Sequence, residues 1–223
     1  MPAEIHLFDI YRSPNIGIFL RTNDKFCLVP RGLALTKREK LEPLLQAQII
    51  QTSIAGSRLL GPLVAMNNNG IIVSRLAEDE EVETLQRSTG MKVEKLNSRF
   101  TSVGNLITAN DNGAVASDIF SDESVRTIER VLGVPVKRMR IANYVQLGAM
   151  VCATNGGSIV HPVATEGEIN EIRVALRVDP EPATVNGGVP FVGSGFVGNT
   201  KGILLGNSTR GGELVIIGRA FGD

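Results

Sequence analysis

Gly61-Pro-Leu-Val-Ala-Met-Asn-Asn-Asn-Gly-Ile-Ile-Val-Ser74 sets an apolar run, a turn cluster and a second apolar run in one line. Asn and Gly between two such runs read as a β-hairpin, because both residues tolerate the positive φ that tight hairpin turns demand. The same unit returns at residues 104–113, 148–157 and 193–202, and in degenerate form at 17–26. The leading glycines Gly17, Gly61, Gly104, Gly148 and Gly193 are spaced 44, 43, 44 and 45 residues apart. Self-similarity at a fixed period of this length means one supersecondary unit used repeatedly, here five times.

Working outward, Ile5 to Ile10 alternates apolar and polar as a half-buried strand does, and Ile5 stands 12 residues before Gly17. Its counterparts are Ile49, Val93 and Val136, so a strand precedes each glycine. After each later hairpin comes an i, i+3, i+7 stripe of helical spacing: Val82, Leu85, Thr89; Val125, Ile128, Leu132; Ile169, Ile172, Leu176; Leu214, Ile217, Phe221. Gly90, Gly133 and Gly222 stand where helix C-caps belong, and Thr165-Glu-Gly-Glu168 reads as a capping box. Pro43 falls inside the helix of the first copy and predicts a short or kinked one.

The expected architecture is α/β, with subdomains 13–48, 49–91, 92–135, 136–180 and 181–223 in one domain. The last copy stops after its helix, whereas residues 1–12 supply the missing strand, and joining them closes a ring with no exposed sheet edge at a terminus. A four-stranded propeller blade has a similar period but leaves the capped helical stripes unexplained.

Composition narrows the chemistry. In 223 residues Lys plus Arg equals Asp plus Glu at 23 each, so no bulk positive field exists to hold free nucleic acid; an RNA-containing partner has to be gripped through protein or a local patch. Neither a signal peptide nor a bilayer-length apolar run is present, which predicts a cytoplasmic protein with no membrane partner. Cys27 and Cys152 lie in strand-core columns, beside Ile71, Ala114, Ile203 and beside Val64, Thr108, Val197. His6 and His161 lack companions at metal-ligand spacing, so no metal or cofactor is expected. Gly193-Ser-Gly-Phe-Val-Gly198 satisfies G-x-G-x-x-G but lies along a hairpin strand, where no helix N-terminus follows to meet a pyrophosphate.

Thr52-Ser-Ile-Ala-Gly-Ser-Arg-Leu-Leu-Gly61, Gly104-Asn105, Asn110-Asp111, Asn155-Gly-Gly157, Val160-His-Pro162 and Ala183-Thr-Val-Asn-Gly187 resemble, in order, the translation initiation factor 6 family. The resemblance implies the pentein ring, an α/β propeller of five β-β-β-α subdomains. It also implies binding to the large ribosomal subunit, through a ribosomal protein near the sarcin–ricin loop, by a monomer whose bulk prevents joining to the small subunit. Roles in initiation and in large-subunit maturation follow. A chain ending at Asp223 resembles the archaeal members.

The alternative is a guanidino-modifying pentein enzyme, whose Cys nucleophile, His and carboxylates reach into the channel. Neither cysteine here falls in the last copy, where those enzymes carry theirs, and His161 is a lone base; no catalytic residue is expected. A partner interface is expected instead. The residues after the repeat glycines, Ile18, Pro62, Asn105, Ala149 and Ser194, differ although the fold treats them alike. Pro62, Asn67, Asn68, Asn105, Asp111, Ala149, Met150 and Ser194 form the expected ribosome interface.

Overall fold

The computed structural model describes residues 3–222. Five three-stranded sheets surround one axis. In copy two, Val64–Met66 pairs antiparallel with Gly70–Ser74, which pairs in parallel with Lys92–Leu96 after a helical crossover. Copies one, three and four repeat this order. In copy five the hairpin Phe196–Gly198 and Gly202–Gly206 takes its third strand from the other end of the chain: Glu4–Phe8 lies parallel to Gly202–Gly206, from Glu4 opposite Gly202 to Phe8 opposite Gly206. The ring is the pentein architecture. The strand before each repeat glycine therefore completes the sheet of the preceding copy, and the natural boundaries fall after Thr52, Leu96, Met139 and Pro182, a few residues beyond those expected.

The hairpin turns differ from expectation in mechanism. None of Asn67, Asn68, Asn69 or Gly70 has positive φ. Asn67 works through its carboxamide, whose Oδ1 accepts the N–H groups of Asn69 at 3.0 Å and Gly70 at 3.2 Å. Gly70 is required for space, since a Cβ there would run into the Val131 carbonyl oxygen of the next copy. Left-handed backbone appears instead in the loops leading to the axis, at Tyr11 and Arg12, Ala55 and Gly56, Ala142 and Asn143, Asn186 and Gly187.

The repeat glycines open helical turns rather than strands: Ile16–Phe19, Leu60–Leu63, Val103–Leu106 and Leu147–Met150, with a 3₁₀ turn at Val192–Ser194. A Cβ on Gly61 would lie under 3.0 Å from the carbonyl oxygen of Gly17; Gly104 stands so against Gly61, Gly148 against Gly104, Gly193 against Gly148, and Gly17 against Gly193. Five glycines thus make a closed backbone-to-backbone circle, and the contact between the fifth and the first closes it.

Helices Leu35–Leu45, Asp79–Thr89, Asp122–Leu132, Glu166–Leu176 and Gly211–Gly222 form the outer layer. Their stripes are buried at Leu85, Ile128, Leu132, Ile172, Leu176, Ile217 and Phe221. The helix of copy one is no shorter than its equivalents, because Pro43 sits exposed in the last turn; Leu41 and Leu45 carry its inner face. Gly90 and Gly133 are left-handed C-caps, whereas Gly222 is still helical. Thr165 and Glu168 form the expected capping box, and Glu78 with Glu81 form another. Burial pushes the Glu81 carboxyl up, but Gly56 N–H, Glu78 N–H, the Ser53 hydroxyl and Ala55 N–H together hold it below its usual range. Each such glutamate ties a helix start to a loop that runs to the axis.

Each apolar core lies mainly within one copy and is completed by a few residues of the copy before it. The core of copy two, with Ile54, Leu60, Ile71 and Leu85, takes in Leu28 and Ile50 of copy one; that of copy one, with Ile16, Cys27 and Leu41, takes in Phe8, Val197 and Leu204. A copy by itself leaves its core incomplete on one side, so full stability belongs to the closed ring.

Side-chain amides lock the seams. Asn67 Nδ2 donates to the carbonyls of Asn110 at 3.0 Å and Leu132 at 2.8 Å; Asn110 does the same to Thr154 and Leu176, and Asn199 to Asn23 and Leu45. Copy four has Thr154 at this position, whose Oγ1 only accepts from Gly156. Thr154→Asn is expected to supply the missing clamp to the Asn199 and Phe221 carbonyls, adding about 1 kcal/mol per bond formed. A thermal melt checks this, and an unchanged or lower Tm would show that the fourth seam cannot accept the amide.

Candidate functional site: the axial channel and its two rims

The first strands of the hairpins wall a channel along the axis, lined by Arg21, Ala65, Thr108, Cys152, Val197 and their neighbours. Each runs from its glycine turn at one rim to its hairpin turn at the other, for example from Leu60–Leu63 through Val64–Met66 to Asn67. The expected interface residues therefore divide into two groups. Pro62, Asn105, Ala149 and Ser194 stand on the glycine rim, all partly exposed, and Asn67, Asn68 and Asp111 stand at the hairpin rim, one strand length away.

Two expected members are removed from any surface. Met150 is 0% exposed, packed in the core between copies three and four. Asn67 is 4% exposed and spends its amide on the seam. Sequence pattern cannot separate an amide that faces a partner from one that closes a turn; the bonds do.

The hairpin rim is tied to itself. Asn68 Nδ2 donates to Asp24 Oδ2 at 2.7 Å and Asp111 Oδ2 at 2.6 Å, and Asn155 Nδ2 reaches Asp111 Oδ2 at 2.7 Å. Burial pushes the Asp24 carboxyl up, but the Thr200 backbone, the Asn68 amide, the Thr200 hydroxyl and Lys201 hold it below its usual range. Asn68 and Asp111 thus seal one end of the channel.

The glycine rim is different. The Asn105 N–H donates to the Ser102 carbonyl at 3.0 Å, but its carboxamide makes no hydrogen bond with the described residues. Ser194 at the equivalent place donates its hydroxyl to the Phe191 carbonyl at 2.9 Å. Around this rim the loops place Arg58 over the Tyr11 ring and Arg99 over the Phe100 ring, and exposed Tyr144 and Leu59 beside them. Sequence reading passed over these arginines and aromatics because they fall in four unlike loops at different distances from the repeat glycines; the only shared signal was that each lies in the loop leading to a glycine turn.

The thiols are poorly placed for nucleophilic work. Burial pushes Cys27 and Cys152 up to about 12, with Thr22 and Arg21 respectively pulling slightly the other way. His161 packs against Tyr144 and Phe191 at the surface, its Nδ1 accepts the Val163 N–H at 3.0 Å, and desolvation lowers its pKa. Native protein at pH 8 is expected to react with a thiol-specific reagent only as fast as it unfolds. Rapid labelling of either cysteine in the folded protein would overturn that inertness.

Among the described residues no helix is long and apolar enough to cross a membrane, and no group of three or more His, Cys, Asp or Glu is gathered as a metal site.

A profile of the eIF-6 family matches residues 5–220. Translation initiation factor 6 of Cenarchaeum symbiosum is 43% identical over 98% of this chain and 99% of its own. The protein of that name from Thermococcus onnurineus is 38% identical over 98% of both chains, and that from Saccharolobus islandicus is 36% identical over 96% and 97%. Among solved structures, an apo structure of ArgZ, an arginine dihydrolase of cyanobacteria, superimposes with a TM-score of 0.50 at 13% identity, covering 73% of this chain and 28% of that one. That likeness speaks for the ring alone.

Proposed function

The chain belongs to the eIF-6 family, and from that premise we propose that it is a ribosome anti-association factor working in translation initiation and in maturation of the large subunit. It binds the large ribosomal subunit as a cytoplasmic monomer, through a ribosomal protein near the sarcin–ricin loop, and its bulk blocks the small subunit. No bond is made or broken, so no cofactor and no catalytic residue is required. The observation that carries the reading is the glycine rim: one face of a closed, five-seamed ring presents an uncommitted Asn105 amide, with Pro62 and Ala149 flanking it, while the opposite rim is bonded to itself.

Rigidity serves this mechanism. A blocking factor need only keep its shape on the subunit, and a ring in which every core borrows residues from the copy before it resists deformation at its seams. A guanidino-modifying enzyme is the weaker reading, because the buried thiols stay protonated and His161 is turned to other work.

Sucrose-gradient sedimentation of purified subunits tests the proposal: the protein should migrate with the large subunit and reduce whole ribosomes, and unaltered joining would refute it. Asn105→Arg is expected to weaken co-sedimentation at least tenfold with the Tm nearly unchanged, since a charge is forced into the interface. Ser194→Arg, on the far side of the rim, should do less. Equal binding by the Asn105 variant and the parent would take this rim out of the interface.

A further inference from the structure

The axial channel holds a cation that the fold does not neutralise. Arg21 points from copy one into the channel and donates Nε to the Val64 carbonyl at 3.1 Å, Nη1 to Gly17 at 3.4 Å and Nη2 to Gly104 at 3.1 Å. These acceptors are neutral carbonyls from three copies, and among the described residues no carboxylate pairs with Arg21. Three bonds leave two of the five guanidinium N–H donors free. Arg21 is partly buried, and a cation drawn partly out of water with no charge partner gives up hydration that neutral carbonyls only partly replace.

The surroundings supply no hidden counter-charge. Cys152 remains a neutral thiol. Thr108 donates its hydroxyl to the Val151 carbonyl at 2.7 Å and Thr22 donates to the Asn23 carbonyl at 3.0 Å, so both are already engaged. Asp24 and Asp111 belong to the hairpin rim, where Asn68, Asn155 and Thr200 take up their oxygens. Beside Arg21 lies a cavity of about 80 Å³, walled by neutral groups, among them Thr108 and Cys152 as well as Ala65, Ile107 and Val197. That is several times the roughly 10–15 Å³ needed for one water.

We propose that this cavity is an anion site, in which Arg21 binds one small inorganic monovalent anion of the chloride or nitrate kind. Size and charge set the selectivity, because besides Arg21 the wall offers only apolar groups and neutral polar ones. A multiply charged oxyanion would lose more hydration than one guanidinium restores, whereas a weakly hydrated monovalent ion gives up little and gains a full charge partner. The anion would also be shared structurally, since Arg21 already holds carbonyls of copies one, two and three.

The test uses the full chain at fixed ionic strength, with sodium gluconate, too large for the cavity, replaced stepwise by sodium chloride or sodium nitrate. The parent should gain several degrees of Tm with a saturating dependence in the millimolar range, and Arg21→Met should lose the saturating component while keeping any general salt trend. Equal dependence in both proteins would overturn the site. Should Arg21→Met fail to fold, the chloride-35 linewidth of the parent decides: broadening that saturates and is displaced by nitrate supports the site, and its absence overturns it.

Discussion

Gly104→Ala is expected to cost about 3 kcal/mol or more, at the upper end of what overpacking takes, and to leave much of the protein aggregated on expression. The added methyl would meet two carbonyl oxygens of copy two, those of Gly61 and Val64, both closer than 3.0 Å. Neither is the tip of a flexible side chain. Relief requires moving copy two against copy three, and because the circle closes through Gly17 and Gly193, that displacement has to be absorbed by every seam. Gly167→Ala is the control: it lies in the first turn of a helix with nothing within 4 Å of the added Cβ, so it should be neutral or stabilising by up to roughly 1 kcal/mol. Urea unfolding of the two variants measures the contrast. A Gly104→Ala midpoint close to the parent's would mean that the glycine circle is loosely packed, and the rigid-ring account would fail with it.

The period and the end register made the ring legible, because both depend on spacing alone. The five glycines were found, yet their reason was only half visible: sequence says that a position excludes a side chain, not that the obstacle is the carbonyl of the repeat glycine in the copy before it. The hairpin asparagines were read as residues tolerant of positive φ, and the structure shows ordinary φ with the carboxamide bent back onto the turn and outward to the next copy. Pro43 was overweighted, since its cost depends on where in the helix it falls, and the last turn of an exposed helix tolerates it.

For the candidate site the limit was of the same kind. Asn67 and Asn105 are alike in type and differ in commitment: one amide makes bonds to two carbonyls, the other none. Arg21 was invisible as a channel group, because its neighbours Leu20 and Thr22 give no hint that strand and turn aim it inward at carbonyls from copies two and three. Function in this fold resides where a copy departs from its equivalents without a seam to serve, and only bonding separates those departures.

Deleting residues 1–12 is expected to abolish the folded monomer, whereas a circular permutant running from Ser13 to Asp223 and then from Met1 to Arg12 should fold with a Tm within a few degrees of the parent. The strand Glu4–Phe8 supplies one edge of the fifth sheet, and Phe8 and Ile10 are 7% and 0% exposed in the core that joins copy five to copy one. Ile5 is partly buried and Leu7 is 47% exposed, so the loss is centred further along the strand than its alternation suggests. Removing Phe8 and Ile10 alone costs roughly 5 to 10 kcal/mol, as much as the whole stability of a typical domain. The permutant restores the order of the other copies, in which Gly90-Met91 or Gly133-Val-Pro135 carries the chain from helix to third strand; here Asp223 and Met1 to Ala3 would do so. The new ends fall in the turn where Tyr11 and Arg12 both have positive φ, so opening it relieves strained backbone at the loss of two hydrogen bonds between Ile10 and Ser13. Circular dichroism melts and gel filtration separate the cases. A truncated chain that melts with the parent would show that the fifth seam carries no stability, and a permutant that fails to fold while the parent does would show that closure depends on the order of synthesis rather than on the contacts of the finished ring.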